Sequence, residues 1–355
     1  MQVNNKLLEK YNIYIGEENY ISLSKFISNG SFSKVFILVD EHTHTHCLPI
    51  LICSCPVLGN AEVIEIESGE NSKTLETAAQ LWYTLTELEA DRKSLLINLG
   101  GGIISDLGGF IASTFKRGIS FINVPTSLLG QIDASVGGKT GINLDNLKNQ
   151  IGSFVNADAT FIFPKYLKTL KTKDLLSGYG EAIKHSILNS NALWTKLIQT
   201  PAEKIFDYPD LITEIMQVKL EIVDNDFSEK GLRKSLNYGH TVGHAIESVK
   251  LKNNNSISHG EAISHGMVIA NIISELLEIH KIDFKVINKK ILQIFPSIKF
   301  TDKEHSQIID LLKHDKKNSH GNLNFSLIKD FGETIIDHPV DTSTIKKALE
   351  IYQSL

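Results

Sequence analysis

The chain has 355 residues, 42% hydrophobic and 22% charged, which allows two domains with cores of their own and is ordinary for a soluble globular protein. A formal charge of −5 excludes a global basic field for nucleic acid, so an anionic ligand has to be met by a local basic cluster. No apolar run is long enough to span a bilayer, Met1-Gln-Val-Asn-Asn-Lys6 has no apolar signal region, and Cys47, Cys53 and Cys55 suggest no disulfide framework; a cytoplasmic protein with neither nucleic-acid nor membrane partners is expected.

Val35-Phe-Ile-Leu-Val39 is a short apolar run ending at Asp40 and predicts a buried parallel strand. His42-Thr-His-Thr-His46 predicts a solvated loop after it, and Cys53 and Cys55 suit one face of a strand-like run. Ala61–Glu67 alternates as a strand does, Ser68–Thr74 predicts a turn, and Ala78–Leu88 has helical apolar spacing. Leu95-Leu-Ile-Asn-Leu99 is a second buried strand that runs into Gly100-Gly-Gly102, and Ile103–Phe115 predicts a helix. Strand, glycine cluster and helix bring backbone N–H groups against a pyrophosphate, although the spacing is not GxGxxG and a tight turn with no ligand is the lesser alternative. Asp106 lies near the start of that helix, where a carboxylate suits the dipole.

Ile119–Val124 is a third buried strand. The glycine-rich stretch Gly130–Gly141 predicts a long functional loop, but Asp133 stands where a P-loop needs its first glycine. Lys139 and Lys148 bring charge near an anion. Ala159–Phe163 is a last short strand, ended by Pro164. Beyond about Leu170, amphipathic helical stretches follow one another: Asp174–Leu188, Leu211–Asp226, His240–Leu251, Gly260–Ile279, one around Ile291, Gln307–Lys313 and Thr344–Tyr352. Only Leu323–Ile328 alternates like a strand. An α/β domain over 1–172 and a mostly helical domain over 173–355 are expected.

Within the helical half, Gly239-His-Thr-Val-Gly-His244 puts two imidazoles on one helix face. A glycine precedes each, leaving room for something bulky at the backbone. Thr241 replaces the Glu of HExxH, so a metal needs further ligands; Glu181 in Gly180-Glu-Ala-Ile-Lys184 and His259 in His259-Gly-Glu261 are candidates. Three N/O ligands describe a catalytic zinc site, and a hydrogen-bonded His pair is the bland alternative.

These motifs resemble the 3-dehydroquinate synthase family over nearly the whole length. The matching stretches include Ser68-Gly-Glu-Asn-Ser-Lys73, Gly100–Asp106, Phe115-Lys-Arg-Gly118, Val124–Leu129, Ile132–Ile142 and Lys148-Asn-Gln-Ile-Gly152. Gly180–Lys184, Arg233–His244, His259-Gly-Glu261 and Asp315-Lys-Lys317 complete them. The resemblance implies a Rossmann-like, mostly parallel α/β nucleotide-binding domain and a helical metal- and substrate-binding domain. It implies a homodimeric enzyme using NAD+ and a divalent ion, Zn2+ with Co2+ as an alternative. The reaction implied converts 3-deoxy-D-arabino-heptulosonate 7-phosphate to 3-dehydroquinate and phosphate, the second step of the shikimate pathway. It proceeds by transient oxidation, phosphate elimination, reduction, ring opening and an intramolecular aldol step, with the cofactor not consumed.

By the same resemblance Glu181, His240 and His259 are the metal ligands, and His244 becomes a hydrogen-bonding and proton-relay residue. Asp40, Glu70, Lys73, Gly101, Gly102, Asp106, Thr126, Ser127, Asp133, Lys139 and Lys148 fall on cofactor-side positions. Arg117, Lys139, Asn149, Lys184, Lys219, Arg233, Asn237 and one of Lys316 or Lys317 fall on substrate contacts, with Glu229 on a hydroxyl. A substrate carrying a carboxylate and a phosphate calls for such Arg and Lys residues, drawn here from both halves, which implies an interdomain cleft. One departure is Leu144-Asp-Asn-Leu147, where many members carry His-Pro-x-Gly. The rival expectations are a 2-deoxy-scyllo-inosose or valiolone-type cyclase, which alters the set Arg233, Leu236, Asn237 and His244, and a metal-dependent polyol dehydrogenase.

Overall fold

The structure, a computed structural model, describes residues 4–145, 147–314 and 323–355. Two compact units share the chain: Met1–Leu175 with Glu203–Leu220, and Leu176–Ala202 with Glu221–Leu355.

The first unit runs α1 (Asn5–Lys10), β1 (Ile13–Ile15), α2 (Tyr20–Asn29), β2 (Val35–Asp40), α3 (Glu41–His46), α4 (Leu48–Ser54), β3 (Glu62–Ile66), α5 (Leu75–Glu87), β4 (Leu95–Gly100), α6 (Gly102–Thr114), β5 (Ser120–Pro125), β6 (Lys139–Leu144), β7 (Leu147–Phe154) and β8 (Ala159–Ile162). Six strands form a parallel sheet in the order β1-β8-β5-β4-β2-β3. Its central strands are buried on both faces, which is why they read as continuous apolar runs. Along β2, Ile37 and Val39 join Leu23, Leu48 and Leu51 on one face. Phe36 and Leu38 join Leu81, Ile104 and Leu107 on the other. Each such side chain contributes roughly 2 kcal/mol of burial.

Strand order reverses at β2, which has β3 on one side and β4 on the other. In a parallel α/β sheet the crevice outside the carboxyl ends of strands at such a reversal is where ligands bind. Asp40 ends β2 and Gly100 ends β4, so the reversal puts Asp40 and the glycine cluster at neighbouring strand ends.

Three expectations for this unit are corrected. The His-rich stretch 42–46 is helix α3, not a loop. Asp40 Oδ1 accepts from the Thr43 amide at 2.8 Å while Thr43 Oγ1 accepts from the Asp40 amide at 2.9 Å, a reciprocal box that satisfies the orphan N–H groups. Cys53 lies on helix α4, exposed; Cys47 and Cys55 are buried, and all three are free thiols. The Gly130–Gly141 stretch is a π-helical turn over Gly130–Ala134 followed by strand β6, which pairs antiparallel with β7. Gly137 (φ 91°) and Gly138 (φ 71°) make the bend between them in the left-handed region that glycine tolerates.

Helix α7 (Thr172–Asn189) leads into the second unit, with α8 (Asn191–Ile198) following, and the chain goes back to the first unit for most of α9 (Pro209–Asn225). Then come α10 (His240–Lys252), α11 (His259–Leu276), α12 (Phe284–Ile294), α13 (Asp302–His314), the antiparallel pair β9 (Leu323–Asp330) and β10 (Glu333–Val340), and α14 (Thr342–Ser354). Strand β10 has no legible apolar alternation because most of its side chains are only half buried and its register with β9 is interrupted. Helix α11 is buried almost all round, with Ala262 through Ser274 inside. Among the described residues no helix is long and apolar enough to cross a membrane.

Candidate nucleotide site and metal centre

In the first unit, polar side chains gather at the carboxyl ends of β2 to β5. Lys73, only 3% exposed, donates to Asp106 and to Asn149, each at 2.5 Å. Asn143 receives the Asn149 amide at 2.9 Å and donates to Glu70 at 2.8 Å. Its own amide donates to the Lys73 carbonyl at 2.8 Å. Glu70, Lys73, Asp106, Asn143 and Asn149 are thus one connected network from the turn after β3, helix α6 and the β6–β7 pair. Burial pushes the Asp106 carboxyl up, against the pull of Lys73. Helix α6 starts without a side-chain cap at Gly101, leaving its first-turn N–H groups for an anion. A Cβ at Gly101 would stand 3.2 Å from Ser127 Oγ and one at Gly102 3.0 Å from the Ala134 Cβ. Nearby, Lys219 pairs with the Asp133 carboxylate and donates to its carbonyl at 2.7 Å. An anionic, ribose-bearing dinucleotide fits this donor and acceptor set: orphan N–H groups for phosphate, carboxylates for hydroxyls.

In the second unit, Glu181 is completely buried on α7, and its Oε2 meets the Lys184 ammonium one turn along. Its Oε1 lies 3.4 Å from His240 Nε2 and 3.4 Å from His259 Nε2. Neither Glu181 oxygen has a hydrogen bond of ordinary geometry among the described residues. His244 joins them: its ring centroid is 5.1 Å from that of His240 and 5.6 Å from that of His259. The ligand nitrogens of the three imidazoles all lie within 4.8 Å of one another.

Electrostatics set the protonation of this cluster. Burial would raise Glu181, but the Lys184 ammonium and the two imidazoles outweigh it and hold the carboxyl well below its usual range. Burial and Lys184 push His240 well below the ordinary imidazole value. Burial would also lower His259, yet its contacts with Glu181 and Glu247 hold it up at about 9. The His240 Nδ1 faces the Tyr238 carbonyl at 3.2 Å. A carbonyl only accepts, so Nδ1 carries the proton and the Nε2 lone pair faces Glu181. Once His259 has given up its proton, a carboxylate and imidazole lone pairs turned toward one point are the donor set of a divalent ion such as zinc.

Glycines make this convergence possible. A Cβ on Gly260 would meet the Ser177 carbonyl oxygen at 1.8 Å, and one on Gly180 the Gly260 carbonyl oxygen at 2.3 Å. Helices α7 and α11 therefore touch backbone to backbone beside Glu181 and His259. Gly239 (φ 79°) starts α10 in a left-handed turn, and a Cβ on Gly243 would meet the Ala262 carbonyl oxygen at 2.9 Å. The bulky neighbour expected beside the His-preceding glycines is another helix's backbone, not a ligand. Gly260→Ala is expected to destabilise by about 3 kcal/mol, because backbone atoms cannot swing away, and to weaken Zn2+ binding by separating the two ligands. Denaturant midpoints and a Zn2+ titration check both.

Two family models meet this site end to end. The one described as 3-dehydroquinate synthase N-terminal matches residues 63–177 and the one described as 3-dehydroquinate synthase C-terminal matches 178–318. The chain belongs to the 3-dehydroquinate synthase family. A 3-dehydroquinate synthase of Parabacteroides distasonis is 38% identical over 93% of this chain and 94% of its own length. One of Clostridium perfringens is 40% identical over 78% of this chain and 79% of its own. Among solved structures, a 2-deoxy-scyllo-inosose synthase complexed with carbaglucose-6-phosphate, NAD+ and Co2+ has a TM-score of 0.85 at 24% identity, covering 97% of this chain and 96% of that one. A 2-epi-5-epi-valiolone synthase from Streptomyces hygroscopicus with NAD+ and Zn2+ bound has a TM-score of 0.78 at 20% identity, covering 97% of both chains. At these identities the likeness shows a shared fold.

Against this family background the remaining candidates fall as follows. Thr126 is buried and Ser127 half-buried just after β5. Lys139 and Lys148 are exposed on the β6–β7 pair. Arg117 (φ 71°), Asn149 (φ 53°) and Glu229 (φ 59°) all hold left-handed backbone, a local cost of about 1 kcal/mol or more that concentrates at functional positions. In the second unit, Asn237 donates to Glu229 at 3.2 Å. Arg233, 1% exposed, donates to the Phe227 carbonyl at 2.6 Å. Lys219, expected in the helical half, sits in the first unit with Asp133. Lys316 and Lys317 lie outside the described residues. Sequence reasoning missed Asn143, which links Glu70 to Asn149, and Glu247, which faces His259. The second had a signal: Glu247 follows His240 and His244 at seven and three residues, on the same helical stripe.

Proposed function

We propose that the chain is a 3-dehydroquinate synthase, converting 3-deoxy-D-arabino-heptulosonate 7-phosphate to 3-dehydroquinate and phosphate. The observation that carries this, in a member of that family, is the convergence of His240 Nε2 and His259 Nε2 on one buried Glu181 oxygen, each at 3.4 Å. When bound, NAD+ supplies reversible hydride acceptance and a divalent ion, Zn2+ or Co2+, supplies Lewis acidity toward substrate hydroxyls.

Glu181, His240 and His259 would hold the ion. The Glu181 Oε1 that faces both imidazoles is buried without an ordinary hydrogen bond and suits a bound cation, whereas the exposed His244 is better suited to exchange protons with the substrate through its ring nitrogens. Asp40, with the Glu70–Lys73–Asp106 network, would hold the ribose and nicotinamide ends of the dinucleotide. Gly101, Gly102, Thr126 and Ser127 would admit its phosphates to the α6 N-terminus. Asp133, Lys139 and Lys148 would complete the cofactor side. Lys184, Lys219, Arg117 and Arg233 would neutralise the substrate carboxylate and phosphate, and Asn149, Asn237 and Glu229 would orient its hydroxyls. Such a site positions a charged substrate more than it supplies acids and bases. The same proposal includes a homodimer in the cytoplasm.

Phosphate release from the heptulosonate phosphate in the presence of NAD+ tests this directly. Release without net NADH, lost on chelation and restored by Zn2+, is the expected result. No release from metal-loaded protein saturated with NAD+ would overturn it. Release from a hexose 6-phosphate lacking the carboxylate would move the chain to the rival cyclase reading.

A further inference from the structure

We propose that Glu247 is a positioning residue of the metal centre, holding the Nδ1 edge of His259 so that Nε2 is presented to the ion. The inference rests on the metal reading above and concerns a residue beyond the three ligands.

Both imidazole ligands occupy the first residue of their helices, His240 on α10 and His259 on α11. A first-turn side chain has no preceding helical turn to lie against, so its ring plane must be set from outside. For His240 the Tyr238 carbonyl does this at Nδ1, at 3.2 Å. Tyr238 is itself pinned, its hydroxyl donating to Asn271 at 2.6 Å and Asn271 donating to Asn288 at 2.7 Å. For His259 the acceptor at Nδ1 is Glu247 Oε2, at 3.4 Å. Glu247 is 14% exposed on its side chain, too sheltered for an ordinary solvated surface acid. It sits two turns along α10 from His240, so one helix face carries one ligand and the holder of the other.

The two acceptors differ in charge. A carbonyl fixes the tautomer; a carboxylate does that and also makes the imidazole a stronger donor. Metal-bound His normally has such a partner, and losing it costs about 10- to 100-fold in metal affinity. Glu247 thus supplies an anionic charge toward the ion without touching it.

The test measures Zn2+ affinity by competition with a chromophoric chelator, and the visible spectrum of the Co2+-loaded form, for the unmodified chain, Glu247→Gln and Glu247→Ala. NAD+ affinity and the melting temperature of the metal-free protein are followed alongside. Glu247→Gln is expected to weaken Zn2+ binding about 10-fold and Glu247→Ala nearer 100-fold, with altered Co2+ bands and unchanged NAD+ affinity. A lowered melting temperature with unchanged Zn2+ affinity and Co2+ spectrum in both variants would show a merely structural role and overturn the inference alone. If the unmodified chain has no site for one Zn2+ per chain, or His259→Ala leaves that site intact, the metal assignment falls and this inference with it.

Discussion

His259→Ala is expected to abolish tight metal binding and lower turnover by on the order of 10³-fold or more, while NAD+ affinity changes little. The loss follows from geometry: His259 Nε2 is one of two imidazole nitrogens 3.4 Å from Glu181 Oε1, and without it two ligands remain. A Lewis acid contributes several kcal/mol to such a step, and each 1.4 kcal/mol is roughly tenfold in rate. The cofactor network of Glu70, Lys73, Asp106, Asn143 and Asn149 does not involve His259. A pH signature accompanies the change. In the metal-free protein His259 is held up at about 9, so below that pH an incoming ion must displace its proton. Zn2+ affinity of the unmodified protein should therefore rise by about tenfold per pH unit between 7 and 9 and then level off. The sign for stability is opposite: the raised folded-state value contributes stability to the metal-free protein that is full below about 6.5 and lost as pH rises through about 9. Isothermal titration at several pH values reads the affinity slope. Full activity and an unchanged slope in the variant would refute the ligand assignment.

Lys184→Ala should lower turnover by on the order of 10²-fold and also destabilise the metal-free protein by about 3 kcal/mol. Its ammonium is 2% exposed and paired with the Glu181 carboxylate, which is 0% exposed. Removing it leaves a buried charge with only imidazoles for company, the costly case for a buried pair. Metal should restore most of that stability, because the ion itself compensates Glu181. Melting temperatures with and without Zn2+ separate the roles. An equal drop in both forms, with activity falling no further than stability explains, would mean that Lys184 only packs.

The strands of the parallel sheet were legible because each is buried on both faces and reads as an apolar run: Val35–Val39, Leu95–Leu99, Ile119–Val124 and Ala159–Phe163. The main helices of the second unit were legible from their 3.6-residue periodicity. What escaped has a common cause, since its stability comes from partners distant in sequence or from turn chemistry. Helix α3 is polar along nearly its whole length and exists through the Asp40–Thr43 box. The β6–β7 pair and β10 lean on cross-strand hydrogen bonds that no one-dimensional pattern carries.

For the site, residue types and local spacing offered His240, His244, Glu181 and His259 as candidate ligands, and the family resemblance narrowed them to Glu181, His240 and His259. That spacing could not tell what the glycines beside them were for. Close backbone contact between α7 and α11 at Gly180 and Gly260 brings a carboxylate and an imidazole 78 positions apart into one cluster. The place of Glu247 behind His259 is likewise a product of how α10 and α11 pack. Chemistry is written in side chains one at a time, but which side chains meet depends on how closely two backbones can approach, and only the folded chain decides that.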